Sequence, residues 1–394
     1  MGLNLPQILG QLEKMSAALA EQQAALRRLL PAARKAFEHA ASLTFEELDA
    51  QVKRAGDRYR GARPTEEPLL AVFEPPPLDA GLVVAGADGS QIYPDRHAPA
   101  LYFAVQVGGL AMEIGSGLPP QVRTQSQLYY QQEDLHDQQG YPIGNAMVNG
   151  RRDAQEMKAL ADWAGTYAGR PLVALLDNGL LLWFALQVRE QNQKDVDLIL
   201  QAYLGNLDRL RDSGGCVAGF IDRPRSADVL ALAHLATLPP SGVSDEALRV
   251  NPFRALTDRA LFEELLQPGQ RSACFIDSSP LNEDFRKKHH EVLFFYLKTD
   301  SRGTIARVEV PAWVAKDTAL LGCVHAAILD QCRSTGGFPY VLVRAHELAV
   351  ITNEDRQQLE GLIQQRLLES GLGARPSQKA TTKRWTRSRR KHRL

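Results

Sequence analysis

Short apolar runs alternate with longer amphipathic stretches along most of the chain. Strands are predicted where an apolar run is bounded by turn residues, as in GLVVAGADGS, ALYFAVQVGGLAMEIGSG, PLVALLDNGLLLWF and CVAGFIDRP. Helices are predicted where apolar residues recur at helical spacing, as in RRDAQEMKALADWAGTYAG and VDLILQAYLGNLDRLRDSGG. Because strands and helices alternate, the sequence predicts an α/β layer architecture.

The second half of the chain continues this alternation. A pair of strands joined by the DSRG turn is predicted from HEVLFFYLKTD and GTIARVEVPAWV. Helices are predicted from KDTALLGCVHAAILDQCRST and from the closing stretch NEDRQQLEGLIQQRLLES. Between these two helices, the apolar run YVLVRAHELAVI is interpreted as a further strand.

Residues 1–62 are predicted to be helical, and residues 63–80 to form an extended, proline-rich connector. The first helical stretch carries a heptad seam, formed by Ile8, Leu12, Met15, Leu19, Leu26 and Leu29. Pro31 is expected to separate it from a second helix, whose start is indicated by the capping-box spacing of Thr44 and Glu47. Such a seam must be covered, so these helices pack on their own domain, on a second copy or on another protein.

Composition adds an expectation about charge and compartment. Lys plus Arg and Asp plus Glu both number 46 in 394 residues, so no overall basic charge indicates a nucleic-acid partner. Residues 371–394 are an exception: this basic tail is predicted to be disordered because it has little apolar content. The four cysteines form no CxxC pair, which favours free thiols in a reducing compartment. No signal-peptide or membrane-spanning pattern is found, so a cytoplasmic protein is expected.

Two predicted strands share the same ending, an Asp followed by turn residues. Asp88 comes before Gly-Ser, and Asp177 before Asn-Gly. Ligands collect at the carboxyl ends of strands in α/β sheets, so the two acids are expected to lie close together. Paired carboxylates repel each other unless a cation joins them, and oxygen-only ligation favours Mg²⁺ or Mn²⁺. The alternative is that each Asp only begins a turn after its strand.

Three further residues are candidates for the same site. Glu156 lies at the border of the apolar stripe of its predicted helix, where a Glu is usually solvated but could reach the ion held by Asp88 and Asp177. His346 is surrounded by apolar residues, which is also typical of a core histidine. Tyr340 follows a Gly-Gly-Phe-Pro turn and could hold a phosphate oxygen or a water molecule.

The order of several motifs resembles the NurA nuclease family. These motifs are AGADGS, ALLDNGLL, FFYLKTD with RVEVPAWVA, and GGFPYVLVRAHELAVI, over roughly residues 80 to 355. The resemblance implies an RNase H-like mixed sheet flanked by helices over residues 81–370, and a Mn²⁺-dependent deoxyribonuclease with one or two ions per site, Mg²⁺ being the other candidate. It also implies a homodimer that acts with the hexameric ATPase HerA in DNA end resection, as a 5′-to-3′ exonuclease and a single-strand endonuclease.

The resemblance also assigns the site residues by motif. Asp88 and Asp177 match the first and second acids, and His346 matches the late histidine, as metal ligands and catalytic residues. Glu156 is the candidate for the helix acid, and Tyr340 matches the family tyrosine approximately. The second motif has Asp-Asn-Gly where Asp-Gly-Ser is expected, but it retains the acid. The implied cations would activate water and neutralise charge on the scissile phosphate.

DNA, as single strands or duplex ends, must also be held. The candidates in the basic tail are Lys383, Arg384, Trp385 and Arg387, which could bind phosphates and stack on a base, or could serve only solubility. Arg151 and Arg152, close to Glu156, could contact phosphate or could simply face solvent.

Two other hypotheses share this fold. One is a catalytically silent subunit that binds DNA or the ATPase, and the other is a resolvase-like phosphotransfer enzyme. The paired acids argue against the first, and the GFPYVLVRAHE motif against the second. No Walker A motif is present, so any requirement for ATP would come from a partner.

Overall fold

A computed structural model describes residues 4–300 and 304–372 of the chain. They form two compact units, one of residues 1–77 with 219–338 and the other of residues 78–218 with 339–394. Each unit is therefore assembled from two separate stretches of chain. No helix within the described residues is long and apolar enough to span a membrane. The basic-tail candidates Lys383, Arg384, Trp385 and Arg387 lie outside the described residues.

The described strands are β1 Val72–Phe73, β2 Val83–Ile92, β3 Phe103–Glu113, β4 Gln121–Tyr129, β5 Leu172–Asp177, β6 Gly215–Asp222, β7 Arg271–Ser272, β8 Phe275–Ile276, β9 Val292–Lys298 and β10 Ile305–Pro311. The described α-helices are α1 Leu5–Ser42, α2 Phe45–Ala55, α3 Gln132–Leu135, α4 Asn145–Thr166, α5 Phe184–Asp212, α6 Asp228–Thr237, α7 Asp245–Arg249, α8 Asp258–Leu265, α9 Pro280–Lys287, α10 Ala312–Ala315, α11 Thr318–Arg333, α12 Tyr340–Ala349 and α13 Asn353–Glu369.

The unit of residues 78–218 with 339–394 contains a mixed sheet in the order β5-β2-β3-β4. Strands β2, β3 and β4 form an antiparallel meander, whereas β5 returns through helix α4 to lie parallel to β2. Helices α4 and α12 pack on these strands, and α5 packs on α4. This is the predicted RNase H-like arrangement. β4 was not predicted as a separate strand: all its residues except Tyr129 are exposed, so it has no apolar run.

Helix α12 corrects one prediction. The apolar run around His346 is a helix and not a strand. Its buried residues Val341, Leu342, Ala345 and Ala349 recur at helical spacing. The helix lies close to the sheet because Gly108 of β3 has no side chain: a Cβ there would lie 2.6 Å from the backbone nitrogen of Ala349. A short apolar run does not distinguish a strand from a buried helix, and this packing decides between them.

The unit of residues 1–77 with 219–338 contains β1, β7, β8, β9 and β10 and a hydrophobic core of its own. β9 pairs with β10 as the predicted hairpin, and residues 301–303 of its turn lie outside the described residues. β10 also pairs with the end of β6, and β7 with β9. Buried residues of α1, including Phe37, join α6, α8 and the sheet in one hydrophobic cluster.

The N-terminal helices differ from the prediction at one point. Pro31 lies inside α1 and does not end it. An internal proline costs about 3 kcal/mol, which the burial of Ala33, Phe37 and Ala40 in the turns that follow offsets. The predicted capping box of Thr44 and Glu47 is present at the start of α2.

The heptad seam divides into two parts. Leu26 and Leu29 pack against the core of their own unit. Leu12, Met15 and Leu19, nearer the N-terminus, have exposed side chains. The predicted packing on the chain's own domain therefore holds for the end of the seam.

Candidate active site

Asp88 lies inside β2 and not at the end of a strand, which corrects the prediction of a turn after it. Parallel pairing of β2 with β5 stops at Ala87 and Leu176, but antiparallel pairing with β3 continues through Asp88 and Gly108 to Ile92. β5 itself ends at Asp177, as predicted, and Asn178 follows with a φ of 95°. Beyond Asp177 the edge of β2 has no partner from β5, and we call this gap the notch.

The notch brings Asp88 and Asp177 to neighbouring positions. Each lies one residue beyond the last parallel pair, Ala87 and Leu176. Neighbouring strands are about 5 Å apart, so their backbones are within carboxylate reach of one ion. The structure therefore places these two acids side by side, directly beyond the parallel pairing of β2 with β5.

His346 of α12 contacts Asp88 directly. Its Nδ1 lies 2.7 Å from Oδ2 of Asp88, and Oδ1 of the same carboxylate accepts a hydrogen bond from the backbone N–H of Gly89. A carboxylate accepts hydrogen bonds, so Nδ1 of His346 is the donor. Nε2 therefore remains available to interact with water, a cation or a phosphate oxygen. The His346 side chain is 66% exposed, which is far from a core histidine.

Glu156 reaches β2 from α4. Alternate residues of β2 face opposite sides of the sheet: Asp88 contacts α12, whereas Gly89 and Gln91 contact α4. A Cβ at position 89 would lie 2.6 Å from Oε1 of Glu156, so the close approach of this carboxylate requires glycine. Glu156 is 6% exposed and is not the solvated border residue of the alternative interpretation.

Arg152 provides the countercharge of Glu156. Its Nε lies 3.0 Å from Oε1 of Glu156, and its Nη2 lies 2.7 Å from Oδ1 of Asp153. Nη1 donates a hydrogen bond of 3.2 Å to Oε1 of Gln91. These contacts place Arg152 inside the acidic site.

The pKa values of the buried acids reflect their mutual proximity. Burial raises the pKa of Glu156 well above its ordinary value, with smaller contributions from the negative charges of Asp153, Asp88 and Asp177, while Arg152 lowers it. Burial also raises the pKa of Asp153, again opposed by Arg152. The site therefore holds several carboxylates whose charges favour a cation among them.

The remaining described candidates, Tyr340 and Arg151, are not part of this network of hydrogen bonds and ion pairs. Tyr340 is the first residue of α12, about 9 Å along the helix axis from His346 and on a different face. In the described part of the chain it makes no hydrogen bond or ion pair with the acids of the site. Arg151 forms an ion pair with Asp134 and lies against the ring of Tyr129, with 5.4 Å between the guanidinium carbon and the ring centre.

The donor set fits a hard divalent cation in its chemistry. Carboxylate oxygens of Asp88, Glu156 and Asp177, with an imidazole nitrogen of His346, are ligand types that Mg²⁺ and Mn²⁺ accept. Within residues 4–300 and 304–372, no three such side chains are already grouped at ligand distance. Glu156 approaches from the other face of β2, where Arg152 holds it.

Three contributors were missed by sequence reasoning. Gly89 was interpreted as a turn residue, but it makes room for Glu156. Gln91 and Asp153 hold the guanidinium of Arg152. The spacing of four residues between Arg152 and Glu156 on a predicted helix is the signal that indicates their ion pair.

The domain has an RNase H-like fold, with acids on two neighbouring strands of the sheet and on a flanking helix. The family model described as "NurA domain" matches residues 82–351, from the start of β2 to just beyond α12. The chain belongs to the NurA family. No curated protein sequence matches it.

Solved structures share the fold. A NurA nuclease from Sulfolobus solfataricus is 16% identical with a TM-score of 0.50, covering 76% of this chain and 88% of its own. A NurA structure bound to dAMP and manganese is 12% identical with a TM-score of 0.39, covering 92% and 97%. At such identities the first similarity concerns the fold alone.

Proposed function

We propose that this protein is a metal-dependent DNA nuclease that hydrolyses phosphodiester bonds. The observation that carries the proposal is the arrangement at the notch, where Asp88 and Asp177 are adjacent and Asp88 holds His346 at 2.7 Å. Membership of the NurA family supports it. Neither a serine nor a cysteine nucleophile is needed at such a site.

Each residue has a proposed part in the reaction. Mn²⁺ or Mg²⁺, when bound, supplies positive charge that stabilises the phosphorane-like transition state and makes water more acidic. Asp88, Glu156 and Asp177 are proposed to hold one or two such ions. His346, oriented by Asp88, is proposed to present Nε2 to an ion or to the attacking water. Gly89 keeps the space that Glu156 occupies.

The finer properties are proposed together with the activity. We propose 5′-to-3′ exonuclease and single-strand endonuclease action on DNA in the cytoplasm, by a homodimer that works with a HerA-type hexameric ATPase in end resection. The exposed seam residues Leu12, Met15 and Leu19 are the proposed contact with a second copy or with that ATPase. The proposed functional segments are residues 1–62, 63–80, 81–370 and 371–394.

DNA contacts are proposed for the residues named in the sequence, which are Arg151, Arg152, Lys383, Arg384, Trp385 and Arg387. Arg151 and Arg152 are engaged by acids within the chain, so a phosphate would have to compete with Asp134 or with Asp153 and Glu156. The tail residues Lys383, Arg384, Trp385 and Arg387 lie outside the described residues, and substituting them in DNA-binding assays tests this part of the proposal.

The second candidate is a catalytically silent subunit that binds DNA or the ATPase. The ion pair between Arg152 and Glu156 favours it, because a carboxylate that already has a countercharge has less need of a metal ion.

A cleavage assay separates the two candidates. The full chain is incubated with single- and double-stranded DNA labelled at the 5′ or 3′ end, in Mn²⁺, Mg²⁺ or EDTA, with and without the ATPase. The nuclease proposal predicts cleavage that requires a divalent ion and is lost in Asp88→Asn. DNA binding without cleavage under all conditions, including those with the ATPase, would establish the silent subunit.

A further inference from the structure

Arg152 forms an ion pair with a carboxylate, Glu156, that a catalytic cation would also bind. Its guanidinium is held by three acceptors, the carboxylates of Asp153 and Glu156 and the amide oxygen of Gln91, at distances from 2.7 to 3.2 Å. The Arg152 side chain is only 22% exposed, and that of Glu156 is 8% exposed. A buried carboxylate requires a countercharge, and here the chain supplies it.

The same carboxylate is a proposed metal ligand. A divalent cation bound at Glu156 would lie close to the guanidinium, and the two positive charges would repel each other. Glu156 cannot offer the same oxygen to both without a cost. Arg152 and the cation are therefore alternatives for this carboxylate.

We propose that Arg152 is a built-in counter-cation of Glu156, which competes with the divalent ion and thereby weakens its binding. The inference rests on the proposed nuclease function. It assigns Arg152 as a positioning residue that holds Glu156 in place until the ion arrives, and it does not assign a contact with DNA.

Arg152 can lose its ion pair with Glu156 and still keep other hydrogen-bond acceptors. Asp153 accepts from two of its nitrogens, Nη2 at 2.7 Å and Nε at 3.2 Å. Gln91 is itself fixed, because its Nε2 donates to the hydroxyl of Tyr93, which donates in turn to Asn149. When Glu156 turns to an ion, these two acceptors retain the guanidinium beside the site.

The test is a titration of the full chain with Mn²⁺, followed by the electron paramagnetic resonance signal of the free ion. Arg152→Gln removes the competing charge and is expected to bind Mn²⁺ roughly tenfold more tightly than wild type. Arg152→Lys keeps the charge and should bind with nearly wild-type affinity. Lys158→Gln, which removes a charge from a half-exposed ion pair on the same helix, is the matched control and should not change the affinity.

A second measurement separates competition from a merely structural role. In EDTA, Arg152→Gln is expected to lower the melting temperature, since Glu156 remains buried without a partner. Saturating Mn²⁺ should then raise the melting temperature of this variant more than that of wild type. A purely structural Arg152 would lower the melting temperature by the same amount with and without Mn²⁺.

The outcomes distinguish this inference from the proposed function. If Arg152→Gln binds Mn²⁺ no more tightly than wild type while Asp177→Asn loses binding, the counter-cation is overturned and the metal site stands. If folded wild type and Arg152→Gln both fail to bind Mn²⁺, the metal site and the inference fall together.

Discussion

The imidazole of His346 lies 2.7 Å from the carboxylate of Asp88, across 258 residues of sequence. Asp88 is near the start of the family match and His346 near its end. One is on a central strand and the other on a helix that packs against that strand. The hydrogen bond uses Nδ1 and so leaves Nε2 as the chemically available nitrogen.

This geometry makes a prediction for His346→Asn, which keeps a donor near the Nδ1 position but lacks Nε2. If Nε2 acts in the reaction, His346→Asn should lower the DNA cleavage rate by at least about 10²-fold. The measurement is single-turnover cleavage of labelled DNA in Mn²⁺. A His346→Asn enzyme of nearly wild-type rate would show that the histidine only orients Asp88.

Gly89→Ala should damage the site through Glu156. The added methyl group would lie 2.6 Å from Oε1 of Glu156 and 2.7 Å from Cγ of Arg152, so both side chains must shift. We expect at least about a tenfold loss of cleavage, since catalysis tolerates little misplacement. Gly165→Ala on α4, where a Cβ meets nothing within 4 Å, is the control and should retain activity. Equal activity in the two variants would mean that Glu156 need not stay where it is.

The central strands of the sheet were predictable from sequence because they are buried and have boundaries marked by turn residues, whereas the exposed β4 was not. β2 and β5 carry almost continuous apolar runs, and their acids interrupt those runs visibly. The sequence could not establish in the same way that α12 is a helix and not a strand. Its apolar run is short, and the contact that decides for a helix involves Gly108, which is distant in sequence.

The adjacency of the two strand acids could be predicted from sequence, but the charge balance around them could not. Asp88 and Asp177 follow from strand position, and their adjacency follows from the parallel register. The approach of Glu156 from the other face of β2, and its partner Arg152, depend on how α4 packs. Periodicity identifies the buried stripe of such a helix, but it does not establish which polar side chain at its border turns inward.

Arg307 is expected to be essential for stability in the unit of residues 1–77 with 219–338. It is 4% exposed and forms ion pairs with Asp228, Asp277 and Glu309 at distances from 2.6 to 3.0 Å. Arg307→Met would leave these carboxylates without their countercharge and should cost about 3–5 kcal/mol in the free energy of unfolding. Urea denaturation measures it. The exposed Arg366→Met is the control, and a loss of under 1 kcal/mol for Arg307→Met would contradict the expectation.

His325 predicts a pH dependence of stability. Burial lowers the pKa of His325 to about 4, and its Nε2 lies 2.7 Å from the carbonyl oxygen of Gly269. The unfolded chain, with an ordinary pKa near 6.5, binds the proton more readily, so stability falls as the pH drops from about 6.5 towards 4. At pH 5 this amounts to roughly 2 kcal/mol relative to pH 8. His325→Gln should lack that part of the loss in denaturation curves at the two pH values, and an unchanged pH dependence would refute the assignment.

The central claim is that the acids at the notch form a catalytic metal site, and Asp177→Asn tests it most directly. The substitution removes one charge with almost no change in shape. Asp212→Asn, at an exposed residue at the end of α5, is the matched control. DNA cleavage in Mn²⁺ should fall by at least about 10²-fold in Asp177→Asn and remain at the wild-type rate in Asp212→Asn. Cleavage by Asp177→Asn at the wild-type rate would contradict the account.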